Sequence, residues 1–329
     1  MSRSLLSIAL LAILLAGCGD HSSSAGPRSS DGVRTTRMPA TTSPLPSRIA
    51  SVDAASWRLP YPVARAAVVR TGHGSVILAG GLLDGDRSTS RVLSIGLLSG
   101  RVEQLPGLAV PVHDTAGGMV AGAPTVVGGG NATEQSVVQS RVRGRWLRVG
   151  NLPTTRSDLA VEEWRGSPYV IGGYDGKSVP RTVLRLSRGA APRPIATLLR
   201  GVRYAATARL HSDVYVFGGE VAGRELGTVQ DVDLATGHTR PAGHLPRPLG
   251  HAMAVTVGDR ILLMGGRTAP DRQTGRMWWY DPTTRRFRSA GRLPDPVSDA
   301  AVASYRRHVW LLGGETPAVT DRVTEVTLR

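Results

Sequence analysis

Six polar side chains occur in the same local setting along the chain, shortly after a Leu-Pro pair or its equivalent and just before a predicted strand. They are Arg65, Asp114, Asp158, Tyr204, His251 and Asp299. Three arginines just upstream, Arg156, Arg203 and Arg247, could add donors for an anion. This mixture could form a mixed-charge pocket for a small polar or sugar-like ligand. The structural alternative is that these side chains bond to neighbouring backbone or to ordered water.

A second set of candidates lies in the predicted loops that follow the second strand of each repeat. These residues are Asp84, Asp86, Arg87, Tyr174, Asp175, Glu220, Arg224, Arg267 and Asp271. Taken singly, each is an ordinary solvated loop residue, and "YDGK" (174–177) is typical of a tight turn. Taken together, they mark one face of the fold as a candidate binding face.

The remaining residues form no known catalytic or metal-binding motif. The histidines lack the close spacing of metal ligands, and no P-loop, nucleophile elbow or zinc-protease motif occurs. We therefore expect no metal and no cofactor.

The net charge of +15 does not by itself indicate nucleic-acid binding. Lys177 is the sole lysine, and the arginines are scattered along the chain without a basic run or an aromatic-interleaved stripe. We expect no nucleic-acid partner. Attraction to anionic lipid headgroups or to acidic envelope polymers fits this charge better.

These candidates are positioned by an internal repeat. An apolar run ends in two glycines six times, and the first glycines of the pairs are 44 to 48 residues apart. The pairs begin at Gly80, Gly128, Gly172, Gly218, Gly265 and Gly313. Leu-Pro pairs or their equivalents keep the same period. A unit of this length with four short strands and no helical period predicts one blade of a β-propeller.

Six such blades account for the chain. The last repeat has residues for only three strands, and "SWRLP" (56–60) precedes the first repeat as an unpartnered fourth strand. We therefore predict an all-β, six-bladed propeller over residues 55–329, with four antiparallel strands per blade. The N-terminal strand should close the ring by joining the C-terminal blade, which removes exposed edges.

The sequence resembles the kelch family of β-propellers. The resemblance rests on the glycine pair after each second strand and on "YDPTTRRF" (280–287), which is similar to that family's turn between the third and fourth strands. Because galactose oxidase resembles this fold, its copper-radical site is a further candidate to consider. That site requires a cysteine crosslinked to tyrosine, whereas Cys18, the sole cysteine, is expected to carry a lipid.

The N-terminus predicts export and membrane anchoring. Arg3 is followed by an apolar stretch that is shorter than a membrane span, which is typical of a signal peptide. "LAGC" (15–18) resembles a bacterial lipobox, although an ordinary signal peptide would also fit. We predict a signal peptide at 1–17, and an acylated Cys18 with a flexible Ser/Thr/Gly/Pro tether at 18–54. The protein would lie on the outer side of the cell membrane as a lipoprotein.

Two functions follow as hypotheses, and binding is favoured over catalysis. The first is a monomeric binding module for an envelope protein, peptide or glycan at one propeller face. The second is a carbohydrate-modifying enzyme similar to the kelch-type sialic acid mutarotases, which would use Arg65 to hold an anion and His251 with Asp299 to transfer protons. The glycine pairs are expected to be scaffold, and valine at Gly218 or Gly219 should destabilise the fold.

Overall fold

The computed structural model describes residues 48–329, and this part of the chain is an all-β, six-bladed propeller without helices. Each blade is a four-stranded antiparallel sheet, as predicted. Within residues 48–329, no helix has the length and apolar character needed to cross a membrane.

The strands follow the repeat. β1 (Ile49–Ala54) precedes blade I, which contains β2 (Ala67–Gly72), β3 (Ser75–Ala79), the small hairpin β4 (Leu82–Leu83) and β5 (Arg87–Ser88), then β6 (Val92–Gly96) and β7 (Arg101–Leu105). Blade II contains β8 (Ala116–Val120), β9 (Ala123–Val127), β10 (Val137–Val142) and β11 (Arg145–Asn151). Blade III contains β12 (Ala160–Trp164), β13 (Ser167–Ile171), β14 (Thr182–Ser187) and β15 (Ala190–Thr197).

The second half repeats this order. Blade IV contains β16 (Ala206–Leu210), β17 (Asp213–Phe217), the small hairpin β18 (Glu220–Val221) and β19 (Arg224–Glu225), then β20 (Thr228–Asp233) and β21 (Thr239–His244). Blade V contains β22 (Met253–Val257), β23 (Arg260–Met264), β24 (Arg276–Asp281) and β25 (Arg286–Arg292). Blade VI contains β26 (Ala301–Tyr305), β27 (His308–Leu312), β28 (Val323–Leu328) and β1.

The N-terminal strand completes blade VI, as predicted, but it lies earlier than expected. Residues 49–54 pair with β28, whereas the sequence indicated 56–60 and assigned 49–54 to the tether. Residues 55–60 remain near β28 through two backbone hydrogen bonds, from Ala55 to Val323 of β28 and from Leu59 to Asp321 just before it. They do not continue the ladder, and Trp57 lies against Gly100 of blade I.

The paired glycines join each blade to the next. In blade IV the N–H of Gly219 donates to the carbonyl oxygen of Leu249, at 2.9 Å, in the connection that leads to blade V. A Cβ atom on Gly218 would overlap that same oxygen, and Gly218 and Gly219 have φ values of 57° and 92°. Equivalent bonds join the other blades and end with Gly314 donating to Val63 across the ring closure. The crowded backbone therefore explains the glycine pairs.

The core lies between the blades. Between blades IV and V, for example, the buried Phe217 and Tyr280 rings pack edge to face with centroids 5.2 Å apart. The first strand of each blade is innermost and lines a central channel.

Antiparallel order gives the propeller two distinct faces. We call "loop face" the end that carries the connections between second and third strands and the connections between blades. We call "hairpin face" the opposite end, which carries the tight connections between first and second and between third and fourth strands, together with Arg48 and Arg329.

Candidate functional site

The six predicted ring residues meet at the mouth of the channel on the loop face. Backbone hydrogen bonds of 2.9–3.0 Å link them in succession: Arg65 N–H to Asp299 O, Asp299 to His251, His251 to Tyr204, Tyr204 to Asp158, and Asp158 to Asp114. All six have left-handed backbone conformations, with φ between 49° and 56°. Asp and His tolerate this conformation better than most residues, which accounts for four of the six residue types. The backbone does not account for Arg65 and Tyr204.

The Arg65 side chain is held inside the mouth by acids from two other blades. Its Nε donates to Glu315 Oε1 at 2.7 Å, and its Nη1 lies 3.2 Å from Asp114 Oδ2. Arg267 joins the same network, since its Nη2 donates to Asp299 Oδ2 at 3.1 Å and also contacts Glu315. Burial alone would lower the pKa of Arg65, but the surrounding carboxylates raise it, so the guanidinium stays charged.

His251 forms the close acid–base contact of the mouth. Its Nδ1 lies 2.7 Å from Asp299 Oδ1, and its Nε2 lies 3.5 Å from Glu220 Oε2. Burial would lower the pKa of His251, but Asp299 and Glu220 raise it. Burial likewise opposes ionisation of Asp299, yet His251, Arg65 and Arg267 hold its pKa at about 2. An imidazolium at this position donates to both carboxylates.

The Tyr204 ring fills the space beside His251, with the two rings stacked at a centroid distance of 3.8 Å. The Arg203 guanidinium lies 4.6 Å from the Tyr204 centroid. Burial raises the pKa of Tyr204, and the neighbouring Asp114 and Asp158 add to the effect. The phenol therefore stays protonated, and its hydroxyl donates to Asp114 Oδ2 at 3.3 Å.

Asp158 is the carboxylic acid of the ring whose pKa is raised by its surroundings. Arg203 Nε lies 2.8 Å from Asp158 Oδ2 and forms an ion pair without the alignment of a hydrogen bond. Burial raises the pKa of Asp158 to about 7, Asp114 adds to the shift, and Arg203 opposes it. Asp158 thus titrates near neutral pH.

Because these side chains pair with one another, little space remains at the mouth. The cavity bounded by the six ring residues has a volume of about 120 Å³. Small-molecule sites are typically about 300–1,000 Å³. The mouth therefore has room for only a few water molecules, and a sugar could enter only if the ion pairs moved apart.

Three further residues of the site directly follow glycine pairs. Two of them were predicted from the sequence as loop residues, and the third was missed. Glu220, Arg267 and Glu315 occupy this position in blades IV, V and VI, and each bridges to the residue just before a ring residue: Arg203, Gly250 and Ser298. Glu315 was not predicted. The signal was present, because Glu315 has the same offset from its glycine pair as Glu220 and Arg267.

The other predicted loop residues lie outside the mouth. Asp84, Asp86, Arg87, Arg224 and Asp271 are exposed at the tips of the loop face. Asp175 binds the N–H groups of Lys177 and Ser178 within its own turn, which agrees with the turn interpretation. The Tyr174 ring lies beneath Arg203, 4.9 Å from its guanidinium.

Of the three upstream arginines, Arg203 alone reaches the ring. Arg156 is buried and donates to the carbonyl oxygen of Thr182 at 2.9 Å, so it braces blade III. Arg247 is exposed on the connection between blades IV and V.

The channel below the mouth is larger, at about 490 Å³, but it is lined mainly by the small residues of the first strands. Its carboxylates serve the scaffold: Glu162 accepts from Thr207 Oγ1 at 2.8 Å, and Glu163 accepts from the N–H of Met119 at 2.7 Å. Burial raises the pKa of Glu162. These contacts tie together the first strands of neighbouring blades.

Between residues 48 and 329, no three His, Asp, Glu or Cys side chains are placed to hold a metal ion. Cys18, the signal peptide at 1–17 and most of the predicted tether lie outside the residues that the structure describes.

Comparison with known proteins supports a kelch-repeat assignment. Residues 248–294, which contain blade V and His251, match the Kelch motif. The chain is 28% identical over 222 residues to the Kelch repeat protein M-T8 of Myxoma virus (strain Lausanne), a match that covers 62% of this chain and 41% of the viral protein. The chain thus aligns with less than half of that relative.

Proposed function

We propose that this protein is an interaction module that binds a macromolecular partner, an envelope protein or a glycan chain, through the loop face of its propeller. A kelch propeller suggests protein interaction as the general role. The observation that carries the proposal is a narrow mouth, with a cavity of about 120 Å³, surrounded by exposed charged loop tips. A narrow mouth favours contact with a broad surface over capture of a small molecule.

The loop tips supply the contacts that such a partner needs. Arg87, Arg224 and Arg272 are exposed, and acids such as Asp84 and Asp271 lie in the same loops. Mixed charges on one face select a partner of complementary pattern and increase its association rate. The residues of the mouth would hold these loops in place from below.

Charge reversal tests this proposal. The full chain carrying Arg87→Glu, Arg224→Glu and Arg272→Glu should lose an envelope partner that co-purifies with the unmodified protein. The matched control changes three exposed arginines of the outer strands, Arg148→Glu, Arg193→Glu and Arg288→Glu. This control has the same net charge and should retain the partner. Equal retention by both variants would contradict binding through the loop face.

The carbohydrate-modifying enzyme is favoured by one observation, the 2.7 Å contact between His251 and Asp299. Three features weigh against it. Both imidazole nitrogens of His251 face carboxylates, Arg65 is already paired with Glu315 and Asp114, and the mouth cavity is only about 120 Å³.

A glycan panel separates the two functions. We expect no thermal shift of the purified protein with monosaccharides or short oligosaccharides. A shift that disappears in both Arg65→Ala and Asp158→Ala would instead assign a small-sugar site to the mouth.

We further propose export and anchoring through an acylated Cys18, based on the "LAGC" resemblance and the apolar leader. After the membrane fraction is washed with about 300 mM NaCl, which screens charge-based attachment, Cys18→Ser should be found in the soluble fraction and the unmodified protein should remain with the membrane. Acylation that persists in Cys18→Ser would refute this assignment.

A further inference from the structure

The two faces of the propeller differ sharply in charge. The connections of the hairpin face, taken with Arg48 and Arg329, contain eight arginines and a single acid, Asp259. The arginines are Arg48, Arg143, Arg165, Arg188, Arg285, Arg306, Arg307 and Arg329. The connections of the loop face contain fourteen arginine or lysine residues and thirteen acids. The basic excess of the connections is therefore concentrated on the hairpin face.

These eight arginines are available for an external partner. All are exposed. None of them belongs to an ion pair among residues 48–329, whereas Arg65, Arg203 and Arg267 of the loop face are all paired. Ion pairing within the described residues therefore does not explain the concentration of charge here.

Four of the arginines occupy positions that local structure disfavours. Arg143, Arg165, Arg285 and Arg306 have φ values between 48° and 55°. Tight hairpins with positive φ prefer Asn, Asp or Gly at such positions. The turns themselves therefore do not call for arginine.

Aromatic and apolar groups lie among the arginines. The Arg165 guanidinium lies 4.6 Å from the Trp164 ring, and Arg306 lies 5.3 Å from Tyr305. Leu98, in another connection of this face, is 55% exposed. Basic side chains mixed with Trp, Tyr and Leu are typical of surfaces that lie on the headgroup region of a bilayer.

We propose that the hairpin face docks on an anionic phospholipid bilayer and so directs the loop face away from the membrane. The chain joins the propeller at Arg48, on the hairpin face itself. Cys18 lies 30 positions before Arg48 in the sequence. An acyl chain on Cys18 would hold this face close to the lipid surface, and an acyl chain together with a polybasic patch anchors more stably than one chain alone. The inference takes only Cys18 acylation from the proposed function.

Vesicle binding tests the inference without the anchor. The complete propeller lies within residues 48–329, so a protein of residues 19–329 retains the fold and lacks both Cys18 and the apolar leader. We expect it to co-sediment with vesicles of 30% phosphatidylglycerol in phosphatidylcholine, and not with phosphatidylcholine alone. The bound fraction should fall between about 50 and 300 mM NaCl because salt screens the attraction.

A matched pair of variants locates the binding surface. Arg143→Asn, Arg165→Asn and Arg306→Asn should weaken binding at least about tenfold, and Asn suits the left-handed turns, so the fold should persist. The control Arg148→Gln, Arg193→Gln and Arg288→Gln removes the same charge from outer strands and should bind like the unmodified protein. Equal weakening in both triples would show a net-charge effect and overturn the inference. So would failure of the unmodified protein to bind phosphatidylglycerol vesicles, including the case in which it binds an acidic polysaccharide instead.

Discussion

At His251 two constraints meet: a left-handed backbone and an imidazole placed between two carboxylates. The sequence revealed the position, because one polar residue per repeat follows the leucine marker, with the same spacing in every repeat except at Asp114, where residues are inserted. It could not reveal that Arg65, Asp299 and Glu315 pair across blades, since those pairs form only when the ring closes. The same residues that suggested an open pocket therefore close it.

Asp158 is expected to make stability depend on pH in a direction unusual for an acid. Its pKa is about 7 in the folded protein and near 3.8 when unfolded, so between these values the folded state binds the extra proton. The contribution of Asp158 to stability should therefore fall as pH rises from about 4 to 7, by at most about 1.4 kcal/mol per pH unit. Asp231, whose pKa burial raises to about 6, adds a fall of the same sign. The raised pKa of His251 adds a fall that begins only above about pH 6.5, whereas Asp299, with a pKa of about 2, loses its contribution only below about pH 4.

Asp158→Asn should flatten this dependence. We expect a smaller slope between pH 4.5 and 6 when the free energy of unfolding is measured in urea at several pH values. Asp84→Asn is the control, because it removes the same charge from an exposed loop tip that contacts no ring residue, and it should leave the slope as in the unmodified protein. Identical slopes in the unmodified protein and Asp158→Asn would contradict the raised pKa.

Gly218 tests the crowding at the glycine pairs. Gly218→Ala should destabilise by about 3 kcal/mol, because the added Cβ meets the Leu249 carbonyl and φ is positive. Gly223→Ala is the matched control: its φ is 71°, but no heavy atom lies within 4 Å of the new Cβ. It should cost only about 1–2 kcal/mol. If chemical denaturation gives the same loss of unfolding free energy for both variants, backbone crowding does not explain the glycine at position 218.

At the scale of strands, the repeat predicted the blades well and the closing strand poorly. A glycine pair, and a Leu-Pro pair or its equivalent Leu198-Leu199, occur in every repeat, so their period placed the strands of each. β1 does not adjoin its own marker, Leu59-Pro60. Its ladder with β28 ends at Ala54, five residues before Leu59, whereas in blade V the strand ends directly before Leu293. The irregular segment around Trp57 therefore displaced the prediction.

Truncation distinguishes the two placements of the closing strand. Removal of residues 1–47 retains β1 and should leave the melting temperature unchanged. Removal of residues 1–54 exposes the edge of β28, so we expect a Tm lower by at least about 5 °C, or self-association through that edge. If both truncations melt alike, Ile49–Ala54 does not close the ring.

At the scale of the whole molecule, the two faces differ in the charge of their connections. Composition gave the net charge of +15 but not its location. The arginines look scattered until the hairpins bring six of them, and the ring closure brings Arg48 and Arg329, to one end. The loop face has balanced charge, a closed mouth and exposed tips. This division accounts for both proposals: lipid contact at the hairpin face and partner binding at the loop face.

The most direct test of partner binding at the loop face is site-specific photocrosslinking in intact cells that express the full chain. A photoreactive residue replaces Arg224 or Arg272 at the loop tips, or Arg193 or Arg148 on exposed outer strands. We predict one discrete protein or glycan adduct, shared by the two loop positions and several-fold weaker or absent at the outer strands. Adducts formed only from the outer strands would contradict a binding module that works through its loop face.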